Sequence, residues 1–162
     1  MPKHLMPIVA TVFVMLFLWL SAVPLLSWYE LTAYHQELAD KSFQWRHSGI
    51  SNYSFEFEYL DFKTRPVPGP IRIHVRDSQF VAAYRIDTDE LVDISGSADV
   101  PHTIESAFAI ATKLLEKHPY KIGIEYDAAL HYPTSISVSY GDSESDGATY
   151  TIRRLKTDDH SP

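Results

Sequence analysis

The spacing of hydrophobic positions changes along the chain, and each change predicts an element. From Leu5 to Tyr29 there is no spacing to find: 25 consecutive positions carry no charge, and Ile8 to Leu20 has almost no polar face. Residues 30–47 follow without Pro or Gly, with Leu31, Tyr34 and Leu38 at helical intervals before Trp45, and Gly49 stops the run. Period two then takes over. Tyr53, Phe55, Phe57 and Tyr59 alternate with Ser54, Glu56 and Glu58; Ile71, Ile73 and Val75 with Arg72, His74 and Arg76; Phe80, Ala82, Tyr84 and Ile86 with Val81, Ala83 and Arg85. Each predicts a half-buried strand. Asp77-Ser78 predicts a tight turn, and the Pro-rich stretch 66–70 predicts the loop joining the first pair. Residues 87–102 are acidic and irregular and predict the longest loop. Thr103 then caps a helix whose apolar stripe of Ile104, Ala107, Phe108, Ala111, Leu114 and Leu115 runs through residue 117, ended by His118-Pro119. Three more alternating runs are centred on Ile122-Ile124, Ile136-Val138 and Tyr150-Ile152.

The expected fold class is α+β. An N-terminal transmembrane helix would precede the order helix–three antiparallel strands–helix–three antiparallel strands, with one curved sheet packed on a helix. The matching division is residues 1–29 as a transmembrane signal anchor, 30–48 as a helical connector, 49–156 as the folded domain and 157–162 as a disordered tail.

The leading apolar stretch is long enough to cross a bilayer, which needs roughly 20 apolar residues in helix. A cleaved signal peptide is the competing reading. It requires a shorter apolar core and two small residues spaced as in A-x-A, but Ala22 and Ser27 each have leucine two positions before them. An uncleaved anchor is therefore expected, with residues 5–29 in contact with the lipid bilayer. Lys3 and His4 lie on one side, and Glu30, Glu37 and Asp40 against Lys41 on the other. The positive-inside rule then places the N-terminus in the cytoplasm and the domain in the periplasm or beyond, as a single-pass protein of the bacterial inner (cytoplasmic) membrane.

Charge narrows the function classes. Lys3 is the only charged side chain before Glu30, so residues 30–162 hold 13 of the 14 Lys and Arg and all 21 Asp and Glu, a formal charge of −8. Such a domain lacks the basic cluster that phosphate neutralisation needs, and no nucleic-acid partner is expected. The absence of Cys from the 162 residues removes disulfides, thiolate metal sites and cysteine nucleophiles together.

One resemblance is specific. Trp45, Ile50-x-x-Tyr53-x-Phe55-x-Phe57, Gly69-Pro70-Ile71-Arg72-Ile73-x-Val75-Arg76-Asp77, Pro101-x-Thr103-Ile104-Glu105-x-x-Phe108 and Ile124-Glu125-Tyr126-Asp127-x4-Tyr132-Pro133-Thr134 carry it. On these residues the chain resembles a family of short bacterial secreted or membrane-attached proteins, the DUF6174 domain of unknown function. The resemblance covers about Trp45 to Leu155. It implies export and an α+β domain, and no established activity. Relatives often carry cysteines in the loop after the first strand, where Asp61 to Pro70 has none, and tend to have Gly where this chain has His131.

Candidate chemistry is sparse. Asp127 to Thr134 reads as a turn in which Asp127 bonds backbone N–H groups and Pro133 opens the next strand, or as a recognition loop presenting His131 and Tyr132. Asp127, His131, Tyr132 and Pro133 are accordingly the candidate binding residues. Asp142-x-Glu144-x-Asp146-Gly147 opens like a calcium loop, but its twelfth position is Arg153 rather than Glu. The carboxylates at 87, 89, 90, 93 and 99 could do acid–base work or hold a divalent cation only if folding brings them together. The eight His show no HExxH and no i,i+4 pair on the predicted helix; no G-x-S-x-G, phosphate-loop or dinucleotide motif occurs. No catalytic residue, metal or cofactor is expected. Tyr53, Tyr59, Tyr84, Tyr126 and Tyr140 fall on strand faces and could pair across strands or line a groove.

The expected function is a membrane-anchored, non-enzymatic binding or scaffold module of the cell envelope, with an envelope protein as candidate partner. The alternatives are a metal-dependent hydrolase using the 87–99 loop and a lipid or peptide carrier using an aromatic groove.

Overall fold

The computed structural model describes residues 32–61, 69–142 and 146–158. The expected transmembrane helix, residues 1–29, and residues 159–162 of the expected tail, 157–162, lie outside the described residues, while Thr157 ends the last strand. Among the described residues no helix is long and apolar enough to cross a membrane. The chain divides into two compact units, Met1–Glu37 and Leu38–Pro162. Of the first, residues 32–37 are described and are helical.

Helix α1 is described over 32–47; in the second unit its residues from Leu38 on lead into strands β1 (Tyr53–Asp61), β2 (Ile71–Arg76), β3 (Gln79–Arg85) and β4 (Leu91–Val92). Helix α2 (Ile104–Glu116) follows, then β5 (Lys121–Tyr126), β6 (Pro133–Ser139) and β7 (Gly147–Thr157). All strands belong to one seven-stranded antiparallel sheet ordered β4-β3-β2-β1-β7-β6-β5. The structure corrects the expected layout of helix, three strands, helix, three strands within an α+β fold. The fold is mostly β, with four strands before α2 and three after. The extra strand is β4: Leu91-Val92, set in the acidic stretch read as loop, pairs with Tyr84-Ala83 across a turn closed by Arg85 N–H to Glu90 O at 2.8 Å.

Alternation decides what is buried. Tyr53, Phe55 and Phe57 on β1, Ile71, Ile73 and Val75 on β2 and Ala148, Tyr150 and Ile152 on β7 are buried on one face, with seven α2 residues beside them. Apolar burial at this scale contributes about 25 cal/mol per Å2. The opposite face is polar and carries exposed ion pairs, Glu56 with Arg72 and Arg154 and Glu58 with Arg153. Three bulges interrupt the period. The one on β7 places Arg154 and Leu155 opposite a single β1 residue, with Arg154 at φ +50°. It turns Arg154, which strict alternation would send into the core, outward to Glu56. The β2–β3 turn, Asp77-Ser78, has φ +50° and +61°, the paired left-handed geometry of a two-residue hairpin.

Candidate functional site

The strands share two ends, and the two ends are chemically unlike. At one end lie the start of β1, the start of α2, the last turns of α1 and the loop between β5 and β6. Thr103 caps α2 by accepting from the Ser106 N–H at 3.2 Å, while the Thr103 N–H donates to Ser106 Oγ at 2.9 Å. That fixes Glu105 in the first turn. The Trp45 Nε1–H donates to Glu105 Oε1 at 2.7 Å, and the Tyr53 hydroxyl donates to Oε2 at 3.2 Å. The Ile104 N–H in turn donates to the Tyr53 hydroxyl at 3.0 Å. Burial is the main reason the Tyr53 phenol is pushed far above its ordinary pKa. Trp45, 1% exposed, meets the Tyr53 ring edge-on at 5.4 Å and the Tyr132 ring at 6.0 Å.

The predicted binding residues fall at this end. Asp127 Oδ1 accepts from the Ala129 and Leu130 N–H groups at 3.0 and 2.7 Å, and Asp127 O accepts from the His131 N–H at 3.0 Å. Tyr132 is buried, and its hydroxyl accepts from the Leu155 N–H, within the β7 bulge. Pro133 is buried as the first residue of β6. His131 is half-buried at φ +64°, the left-handed conformation that glycine takes cheaply, and its Nδ1 lies 3.4 Å from Lys41 Nζ. Lys41 also sits 5.8 Å over the Tyr126 ring. The loop therefore sets His131 and Tyr132 against Lys41 and Trp45 of α1, while Asp127 bonds backbone groups within the loop itself. A depression of about 370 Å3 opens nearby beside Arg46, Ile50 and Ser78; its one carboxylate is Glu105, already bonded to Trp45 and Tyr53.

The other end holds a cleft of about 240 Å3. Tyr59, Tyr140 and Tyr150 supply its aromatic wall, Asp61, Asp99 and Asp146 its carboxylates, and Leu114 and Lys117 the end of α2. The Tyr59 and Tyr150 rings are 4.7 Å apart, and the Tyr150 hydroxyl donates to that of Tyr59. All three phenols are held above their ordinary pKa. Burial dominates in each; the charge of Asp61 adds for Tyr59, that of Asp99 for Tyr140, and those of Tyr59 and Asp99 for Tyr150. Asp99 thus acts on all three rings. Reading strand faces singles out Tyr59 and Tyr140 as groove candidates but not Tyr150, which the sequence marks only as part of an alternating run.

The acidic residues do not converge. Asp87, Asp89, Glu90, Asp93 and Asp99 are exposed. Asp89 lies 4.0 Å from Arg72, Glu90 lies 4.0 Å from Arg85, and Asp93 Oδ1 accepts from the Ser95 N–H and hydroxyl. Among the described residues no group of three or more His, Asp or Glu is placed to hold a metal ion. Of the calcium-like stretch, residues 143–145 lie outside the described residues; Asp142 accepts from the Tyr120 hydroxyl.

The Trp45–Tyr53–Glu105 contacts and the Tyr-Asp-x4-Tyr-Pro turn give the resemblance motifs their physical content. The model of a family of unknown function, DUF6174, matches residues 37–157. The chain belongs to this family. The DUF6174 match begins beside Leu38, where the compact unit starts, and ends on the last residue of β7, so it contains both ends of the sheet. No curated protein matches the chain.

Proposed function

We propose that this DUF6174 protein is a single-pass protein of the bacterial cytoplasmic membrane. Residues 5–29 enter the bilayer, the N-terminus is cytoplasmic, and residues 38–157 form an extracytoplasmic, non-enzymatic binding module. The tether rests on the uncharged stretch from Leu5 to Tyr29 and on the charge difference across it. In this reading the Asp127–Pro133 segment holds α1 against the sheet. The partner-facing surface is the tyrosine–carboxylate cleft, which is the observation that carries the binding role. Aromatic faces beside carboxylates favour a cationic group, such as a lysine or arginine side chain of an envelope protein. A hydrolase reading would need the 87–99 carboxylates in one cleft; Asp89, Glu90 and Asp93 meet separate partners, and Asp99 is the one of the set that lines the cleft. A carrier reading would need an open space between sheet and helix, and Trp45, Tyr53, Phe55, Ile73 and Leu115 fill the core.

Titration of the detergent-solubilised full chain with arginine amide, followed by tyrosine-selective NMR, tests the cleft. Tyr59, Tyr140 and Tyr150 shift at millimolar ligand, Tyr53 and Tyr132 do not, and Asp99→Asn weakens binding severalfold. Equal response at both ends, or none, contradicts it. Protease treatment of spheroplasts tests the address: the domain is digested there and protected in intact cells, and a soluble cytosolic chain contradicts the tether.

A further inference from the structure

The sheet has two edges, and they differ in what they offer. β4 is two residues long and presents almost no backbone to a newcomer. β5 closes the other end of the sheet with six residues, Lys-Ile-Gly-Ile-Glu-Tyr. Its register with β6 is regular from Lys121 to Glu125, and the bulge falls only between Glu125 and Tyr126. Edge strands are commonly guarded by charge, which blocks pairing when like charges meet. Here the guard has opposite signs at equal distances from the centre. Lys121 and Glu125 are both exposed, on the same face, two positions either side of Gly123.

We propose that β5 is the interface between two copies of this chain, paired antiparallel about a two-fold axis at Gly123 into one continuous fourteen-stranded sheet. About that axis Lys121 faces Glu125 of the second copy, and Glu125 faces its Lys121, so both outer-face pairs are attractive. On the inner face Ile122 meets Ile124 twice over, which covers Ile124, half-exposed in the single chain. At the axis a residue meets itself, and Gly123 brings neither charge nor bulk there. An isologous contact requires this self-complementarity, and direct cross-strand ion and aliphatic pairs each favour association. The interface is independent of the cleft and of its ligand.

Cysteine cross-linking tests the register, because the chain contains no Cys. In membranes holding the full chain, the Lys121→Cys/Glu125→Cys double variant forms a covalent dimer on mild oxidation. Either single variant does not, since its two sulfurs would lie about 13 Å apart along the strands, beyond disulfide reach. A charge exchange gives a second readout that keeps the fold, both side chains being exposed. By sedimentation in detergent, Lys121→Glu weakens the dimer roughly tenfold, Glu125→Lys does the same, and the two together restore it. Single-cysteine variants that cross-link as fully as the double variant, a double variant that stays monomeric, or charge reversals without effect would each overturn the proposal.

Discussion

The Trp45 end of the sheet and the Tyr150 end use the same side chains for opposite purposes. Both are built from tyrosines and carboxylates, and both raise tyrosine pKa values mainly by burial. At the Trp45 end the polar groups answer one another: Glu105 accepts hydrogen bonds from Trp45 and Tyr53, Tyr53 accepts one from the Ile104 N–H, and Tyr132 accepts one from the N–H that a bulge frees. At the Tyr150 end the same residue types, with the Tyr150 hydroxyl donating to Tyr59, also ring a cleft. The difference comes from what α1 does. Trp45 and Lys41 fill the first end, whereas only the last turn of α2 reaches the second. A tyrosine in this sheet is a structural strut where a helix covers it and a cleft wall where only a helix end reaches it.

Removing the covering side chain should break the comparison most severely. Trp45→Ala opens a cavity, strips Glu105 of a donor and frees α1, and should cost about 3–5 kcal/mol in chemical denaturation. Less than about 1 kcal/mol would mean the helix is not held. The hydroxyls come next. Tyr53→Phe leaves the Ile104 N–H and Glu105 each short of a partner and should cost about 1–3 kcal/mol. Tyr150→Phe removes one donor at a cleft edge and should cost less, about 0.5–1.5 kcal/mol. Equal losses would erase the distinction. Both groups also predict an alkaline limit. Their folded pKa values are raised, so the unfolded chain loses its phenolic protons first. Stability present below about pH 10, the ordinary tyrosine pKa, is lost as pH rises above it, and either Phe variant flattens that fall.

Smaller effects sharpen the picture. His131→Gly should stabilise by roughly 0.5–1 kcal/mol, because glycine takes the left-handed turn without the steric cost that histidine bears at φ +64°. A loss would show that the contact with Lys41 outweighs the strain. Tyr140→Ala, 45% exposed, should change stability by no more than about 0.5 kcal/mol while weakening cation binding at the cleft.

What could be read from sequence follows the range of the interactions. The alternation at Tyr53–Tyr59 and the Thr103 cap are decided within a few residues, and both are visible in the chain. β4 was not, because two residues make no period and its pairing with Ala83-Tyr84 is decided by the turn at Arg85–Glu90. Nor was the outward turn of Arg154, which a bulge produces against a strand about 100 residues away in sequence. The pairing of β1 with β7 is equally remote, and it brings Tyr59 to Tyr150. The Asp127 turn was legible as local hydrogen bonding, but its meeting with Lys41 was not. The cleft is least legible, since Tyr59, Asp99, Lys117 and Tyr140 belong to separate segments that only the assembled fold brings together.

In the proposed reading one end of the sheet is closed on itself and the other takes a cationic partner. Hydroxyl-radical footprinting of the full chain, with and without arginine amide, tests it most directly. Tyr140 should oxidise readily and be protected by the ligand, while Tyr53 and Tyr132 stay unreactive in both conditions. Oxidation of Tyr53 or Tyr132 at the rate of Tyr140, or a Tyr140 rate the ligand leaves unchanged, would contradict it.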